Sequence, residues 1–162
     1  TTHYGAFKLA CEGAARAYWL ERGIASVGLR PFVAYGPGRE TGMSAGPTLA
    51  CRAAARGEPY TIPFTGSAGF VFADDVARAI ETALATTPRG AHVADLNGET
   101  ADVATIVALI RDLAPGAAVE AAGPPLPVAP RITGAPPEAV FGAWPVTPLR
   151  EGLAATLAHY RR

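Results

Sequence analysis

Tyr4 and Lys8 are the first side chains whose types and spacing suggest chemistry. Four residues apart in a helix, they stack on one face. A free tyrosine titrates near ~10, too high to act as a base at neutral pH. An ammonium beside the ring favours the phenolate, so such a pair makes a proton donor and acceptor for general acid–base work. The ordinary alternative is a packed tyrosine and a solvated lysine. Composition speaks against it, because Lys8 is the one lysine among 14 basic residues and the other 13 are arginine. The planar fork of arginine does not replace a compact ammonium.

Other chemistry-bearing groups are weaker. Gly36, Gly38 and Gly42 are spaced like a dinucleotide phosphate loop between a strand pattern and a helix pattern. Pro37 removes a backbone donor where a phosphate needs donors, so this loop is not assigned to phosphate. Asp74 and Asp75 look like a carboxylate dyad, but a helix N-cap at Asp74 followed by a first-turn acid accounts for both. His3, His92 and His159 lack metal-ligand spacing, with or without Cys11 and Cys51, so no metal is expected. Both cysteines sit among alanines and read as small buried hydrophobes. His3 adjoins Tyr4 and is a candidate substrate contact rather than a base. Trp19 reads as core or interface.

The elements that must position these groups alternate between helix and strand. Residues 4–22 predict an amphipathic helix with a stripe of Ala6, Leu9, Ala10, Ala14, Ala17, Tyr18 and Leu20, closed by Gly23. Residues 25–35 read as one strand ending in a Gly-Pro-Gly loop. Helices are predicted over 47–56, 75–86, 102–114 and 148–160, and strands over 60–64, 69–72 and 92–96. Six prolines mark 123–137 as an irregular connection. The alternation implies an α/β sheet with helical cover.

Composition narrows the function classes. The chain has 162 residues, 49% hydrophobic and 17% charged, which suits one ordinary folded domain. Fourteen basic residues offset 14 acidic ones, so no nucleic-acid partner is expected. No apolar run approaches the ~18 residues of a membrane span, and no basic-then-apolar leader is present, so no membrane partner is expected. Two cysteines are too few for a disulfide framework, and a cytoplasmic setting is expected. Thr1 stands where an initiator methionine would, and the helical pattern starts almost at once, which reads as a fragment.

Four segments then carry a resemblance. Tyr-Gly-Ala-Phe-Lys-Leu-Ala-Cys-Glu at 4–12 looks like the catalytic helix of the extended short-chain dehydrogenase/reductases, the NAD-dependent epimerase/dehydratase family. Leu-Arg-Pro-Phe-Val-Ala-Tyr-Gly-Pro-Gly at 29–38 resembles that family's next strand and loop. The stretch from Phe70 to Ile80 resembles its "DFVYVDDVAxAI" segment, and 144–153 resembles its closing helix. The resemblance implies the C-terminal part of a Rossmann-like parallel sheet plus a small α/β substrate-binding region. Residues 1–38 would close the NAD(P)-binding domain, and 39–162 would form mainly the substrate region, with some segments returning to the sheet. It also implies a chain that starts about halfway through such a protein. The glycine-rich loop, the ribose-binding acid and the catalytic Ser/Thr lie upstream in the family and are not assigned here.

By the same resemblance, Tyr4 moves the proton of a substrate hydroxyl, and Lys8 holds the nicotinamide ribose of NAD or NADP. The backbone of Pro31, Phe32 and Val33 would lie along the carboxamide. Nucleotide-sugar members carry an Asn where this chain has Val33, and an Arg where it has Ala68. Neither replacement offers a diphosphate a charge or an amide. The remaining cation is Arg39, in a loop with Met43 and Ser44, which is placed to meet a smaller anion such as a sugar-acid carboxylate. The expected function is therefore an oxidoreductase of this family acting on a hydroxyl of a sugar-like or sugar-acid substrate. Alternatives are a nucleotide-sugar epimerase and a non-catalytic binding or assembly module that keeps the fold. The family often dimerises through the Tyr/Lys helix, and Ala14, Ala15 and Tyr18 would supply such a face.

Overall fold

The computed structural model describes residues 2–86, 88–130, 132 and 134–162. In chain order the elements are α1 (His3–Arg22), β1 (Ser26–Pro31), β2 (Val33–Tyr35), α2 (Gly46–Arg56), β3 (Tyr60–Ile62), β4 (Ser67–Phe72) and α3 (Ala73–Thr86). They continue with β5 (Ala91–Leu96), β6 (Glu99–Asp102), α4 (Val103–Leu113), β7 (Val119–Ala121), α5 (Glu138–Phe141) and α6 (Leu149–Tyr160). Contacts divide the chain into two units. The first comprises Thr1–Arg30, Ala77–Leu96 and Thr133–Trp144, and the second Pro31–Val76, Asn97–Ile132 and Pro145–Arg162. No helix among the described residues is long and apolar enough to cross a membrane.

In the first unit, β1 pairs with β5, and α1 and α5 pack on β5. Thr2 caps α1, its Oγ1 accepting the Gly5 N–H at 3.1 Å. Gly23, in the left-handed region at φ 66°, closes the helix by donating to the Trp19 carbonyl. The expected apolar stripe of α1 does not reach a core, for no residue of this helix is buried. A 20-residue helix is about 30 Å long, and two paired strands about 4.8 Å apart are too narrow to cover it. Cys11 is therefore exposed, against the expectation of a buried hydrophobe, whereas Cys51 is buried.

The second unit holds the larger core. β2 pairs parallel with β4, and β4 pairs antiparallel with β6. β3 pairs parallel with β7, with Tyr60 opposite Val119. Onto these strands α4 turns Val103, Ile106, Val107 and Ile110, the spacing of one helical face. With Tyr35, Phe70, Leu149, Leu153 and Leu157 they form one buried cluster. Asp102 caps α4 by accepting the Ala104 N–H at 2.8 Å.

Three local expectations need correction. The strand expected over 25–35 is two strands in different sheets, β1 and β2, interrupted at Phe32. Pro31 has no N–H to continue a ladder, which favours a break there. Asp74 is not the N-cap of α3, because β4 runs directly into a helix that starts at Ala73 and places both acids in its first turn. β6 and β7 add two strands to those expected; both are short, and β6 is polar throughout apart from Ala101. Part of the proline-rich 123–137 connection, residues 131 and 133, lies outside the described residues.

Candidate active site

Tyr4 and Lys8 occupy the first turns of α1, where Thr2 fixes the start of the helix. Their four-residue spacing brings the Lys8 ammonium to 5.4 Å from the centre of the Tyr4 ring, within cation–π range. Tyr4 is 73% exposed, so its hydroxyl faces outward rather than into a core. Among the described residues no carboxylate pairs with Lys8. His3 is exposed beside them.

A charged cluster absent from the sequence reading fixes α1 at mid-length. Arg30 at the end of β1 donates from Nε and Nη2 to the two carboxylate oxygens of Glu12, at 2.7 and 2.6 Å. Its Nη1 also reaches buried Asp95 on β5 at 3.4 Å. Bidentate pairing of this kind sets orientation as well as energy. The Arg30 hydrogen bond holds the Glu12 carboxyl below its usual range, and the Glu12 hydrogen bond raises Arg30. The helix carrying Tyr4 and Lys8 is thus pinned to both strands of its unit.

The remaining expected site residues lie in the second unit. Pro31 is exposed, Phe32 half-buried and Val33 buried in β2, opposite Phe70. Val33 and Ala68 both belong to the core cluster, at 3% and 0% exposure. A polar side chain at either position would start from a buried site, so these two residues are explained by packing.

Arg39 is held within its own loop. Its Nη1 donates to the Thr41 carbonyl and its Nη2 to Ser44 Oγ at 3.4 Å. Gly42 has φ 94° and no side chain, which leaves room for the guanidinium: a Cβ there would meet Nη1 at 2.9 Å. Met43 is 74% exposed and Ser44 half-buried. The Gly36 N–H donates to Thr48 Oγ1 at 3.0 Å, and those of Arg39 and Glu40 to carbonyls within the loop. Those donors are committed, in keeping with the rejected phosphate-loop reading.

Sequence reasoning also missed what ties this loop down. Glu40 accepts from Arg52 of α2 at 2.5 Å and from the Tyr160 hydroxyl at 2.8 Å, 120 residues along the chain. Burial and the Glu40 contact raise Tyr160, and the same hydrogen bond lowers Glu40. Asp75 is fully buried and accepts the Thr147 N–H at 2.8 Å and hydroxyl at 2.6 Å. It serves the start of the C-terminal helix rather than a carboxylate dyad. No local pattern signals either contact, because each partner lies far away in sequence.

A model of the NAD dependent epimerase/dehydratase family matches residues 1–98. Among solved structures the chain is similar to the Thermus thermophilus UDP-glucose 4-epimerase in complex with NAD, at 25% identity and TM-score 0.78. The match covers 98% of this chain and 53% of that one. It is also similar to MoeE5 in complex with UDP-glucuronic acid and NAD, at 29% identity and TM-score 0.76, over 96% of this chain and 54% of that one. A partial consensus L-threonine 3-dehydrogenase matches at 24% identity and TM-score 0.80, over 99% and 57%, a likeness of fold alone. No match is found among curated proteins. The chain spans about half the length of these neighbours, and its mixed α/β architecture with parallel strand pairs corresponds to that part of their Rossmann-like structures.

Proposed function

The chain belongs to the NAD-dependent epimerase/dehydratase family, and from that premise we propose that it forms the C-terminal half of an NAD(P)-dependent oxidoreductase. Its substrate is a sugar-like compound or sugar acid, and the reaction takes place at a hydroxyl through Tyr4 and Lys8. The observation that carries this reading is the Tyr4–Lys8 pair, 5.4 Å from ammonium to ring centre, on an exposed face of α1.

Tyr4 takes or returns the proton of the reacting hydroxyl. Lys8 would donate to ribose hydroxyls of the cofactor. The donor set suits a dinucleotide, because the Lys8 ammonium has three donors and no carboxylate partner among the described residues. The backbone of Pro31, Phe32 and Val33 would hold the nicotinamide carboxamide. Arg39 pairs with a substrate carboxylate, with Met43 and Ser44 beside it. The nicotinamide, when bound, exchanges the hydride. A second copy of the chain packs on α1 through Ala14, Ala15 and Tyr18, the last of which is 59% exposed.

A second reading, action on a nucleotide sugar, has one observation in its favour: MoeE5, at 29% identity, is in complex with UDP-glucuronic acid. Against it stand Val33 and Ala68, which bring no amide or guanidinium to a diphosphate. The test is a panel of nucleotide sugars, free sugars and sugar acids offered to the intact protein with NAD and NADP. Reduced-cofactor absorbance and chromatography of epimers are the readouts. Turnover of a free sugar acid supports the first reading, and efficient turnover of a UDP-sugar overturns it for the second.

A further inference from the structure

A cavity of about 440 Å³ lies in the second unit, beside the Arg39 loop. That volume falls within the range of small-molecule sites. Met43, Leu49, Tyr60, Phe64 and Leu126 line it together with four prolines. No lining residue is charged, and the Tyr60 hydroxyl is the one polar side-chain group among oxygens and nitrogens. The prolines have no N–H, and the N–H groups of Tyr60 and Leu126 are spent on the Ala118 and Thr65 carbonyls. A nucleobase carries acceptors along its edge, and this wall offers few donors for them. An aliphatic or aromatic group loses nothing here and gains by leaving water.

A cation adjoins this apolar wall. Gly42 lines the cavity, and the Arg39 guanidinium lies so close to it that a Cβ would sit 2.9 Å from Nη1 and 3.1 Å from Nη2. Among the described residues the Arg39 guanidinium bonds to the Thr41 carbonyl and Ser44 Oγ, and no acid neutralises it. We infer that the cavity takes the apolar part of a small carboxylic acid whose acid group pairs with Arg39. Within the sugar-like and sugar-acid class proposed above, the substrate narrows accordingly to an acid bearing an aliphatic or aromatic substituent. This deepens the proposed function through Arg39 and is independent of Tyr4 and Lys8.

Calorimetry on the intact protein tests it with four probes: phenylbutyrate, its alcohol phenylbutanol, glucuronate and UMP. Phenylbutyrate is expected to bind about tenfold or more tightly than the alcohol, which lacks the charge, and than glucuronate, which lacks the apolar group. Arg39→Gln is expected to weaken phenylbutyrate about tenfold. Met43→Asp, at an exposed position that does not burden folding, is expected to weaken it through a like charge at the mouth of the cavity. Tyr4→Phe is expected to leave binding unchanged. Absent binding of phenylbutyrate, equal affinity for acid and alcohol, or tighter binding of glucuronate or UMP overturns the inference. Because the Tyr4 role is read by turnover and the cavity by binding of these probes, failure of the one and failure of the other are distinguishable.

Discussion

The two cysteines show how far a residue's environment departs from its composition. Cys11 and Cys51 both sit among alanines, yet one is exposed on α1 and the other fully buried in α2. Burial pushes the Cys51 thiol up to about 12, so at pH 8 it is a thiol without a nucleophilic thiolate. A disulfide-exchange reagent is expected to label one cysteine in the folded chain and two after denaturation. Two fast labels in the folded chain would contradict the burial. The Tyr4–Lys8 pair is the opposite case, because spacing alone brings the two side chains together and nothing distant is required. That is why the candidate pair was legible from the sequence, while Glu40 and Asp75 were not. Their partners, Tyr160 and Thr147, are 120 and 72 residues away.

At the level of elements, the long helices were legible because apolar periodicity and capping residues mark them. Strands β6 and β7 were not, having four and three residues and little alternation. The placement of α1 depends on Arg30, Glu12 and Asp95, which no periodicity encodes. Because the folded state holds the Glu12 carboxyl below its ordinary range, it binds that proton less readily than the unfolded chain. The stabilisation is therefore present above the ordinary glutamate range of ~4.3 and lost as pH falls through the lower folded value. Hydrogen exchange of α1 amides is expected to accelerate on acidification through that window, and Arg30→Met should abolish the pH dependence. An acid response unchanged in Arg30→Met would contradict the role. For α6, the Glu99 carboxylate accepts the Leu149 N–H at 2.7 Å, in the manner of a cap. Glu99→Ala is expected to cost ~0.5–2 kcal/mol in urea unfolding, and an unchanged midpoint would remove Glu99 from the account. Gly152 of α6 is required by close approach, since a Cβ there would collide with the Tyr35 hydroxyl.

For the whole molecule, four motifs in order pointed to the family, and the family model matches residues 1–98. The bounds of the two units were not legible, because each unit is assembled from three separate stretches of chain. Tyr4, Phe7, Leu9, Tyr18 and Leu20 lie exposed along one helix, more apolar surface than a lone soluble helix usually shows. The 162-residue chain is accordingly expected to bind a hydrophobic dye or to sediment as concentration-dependent associates, and the absence of both would contradict this exposure. The central claim, that Tyr4 moves the substrate proton, is tested most directly by comparing the intact protein with its Tyr4→Phe variant. Reduced-cofactor absorbance would be followed with a sugar acid, beside calorimetry of NAD. A general acid–base residue typically contributes ~10²–10⁴-fold, so the variant is expected to lose that much turnover while NAD affinity is retained. Equal turnover in the two proteins would contradict the account.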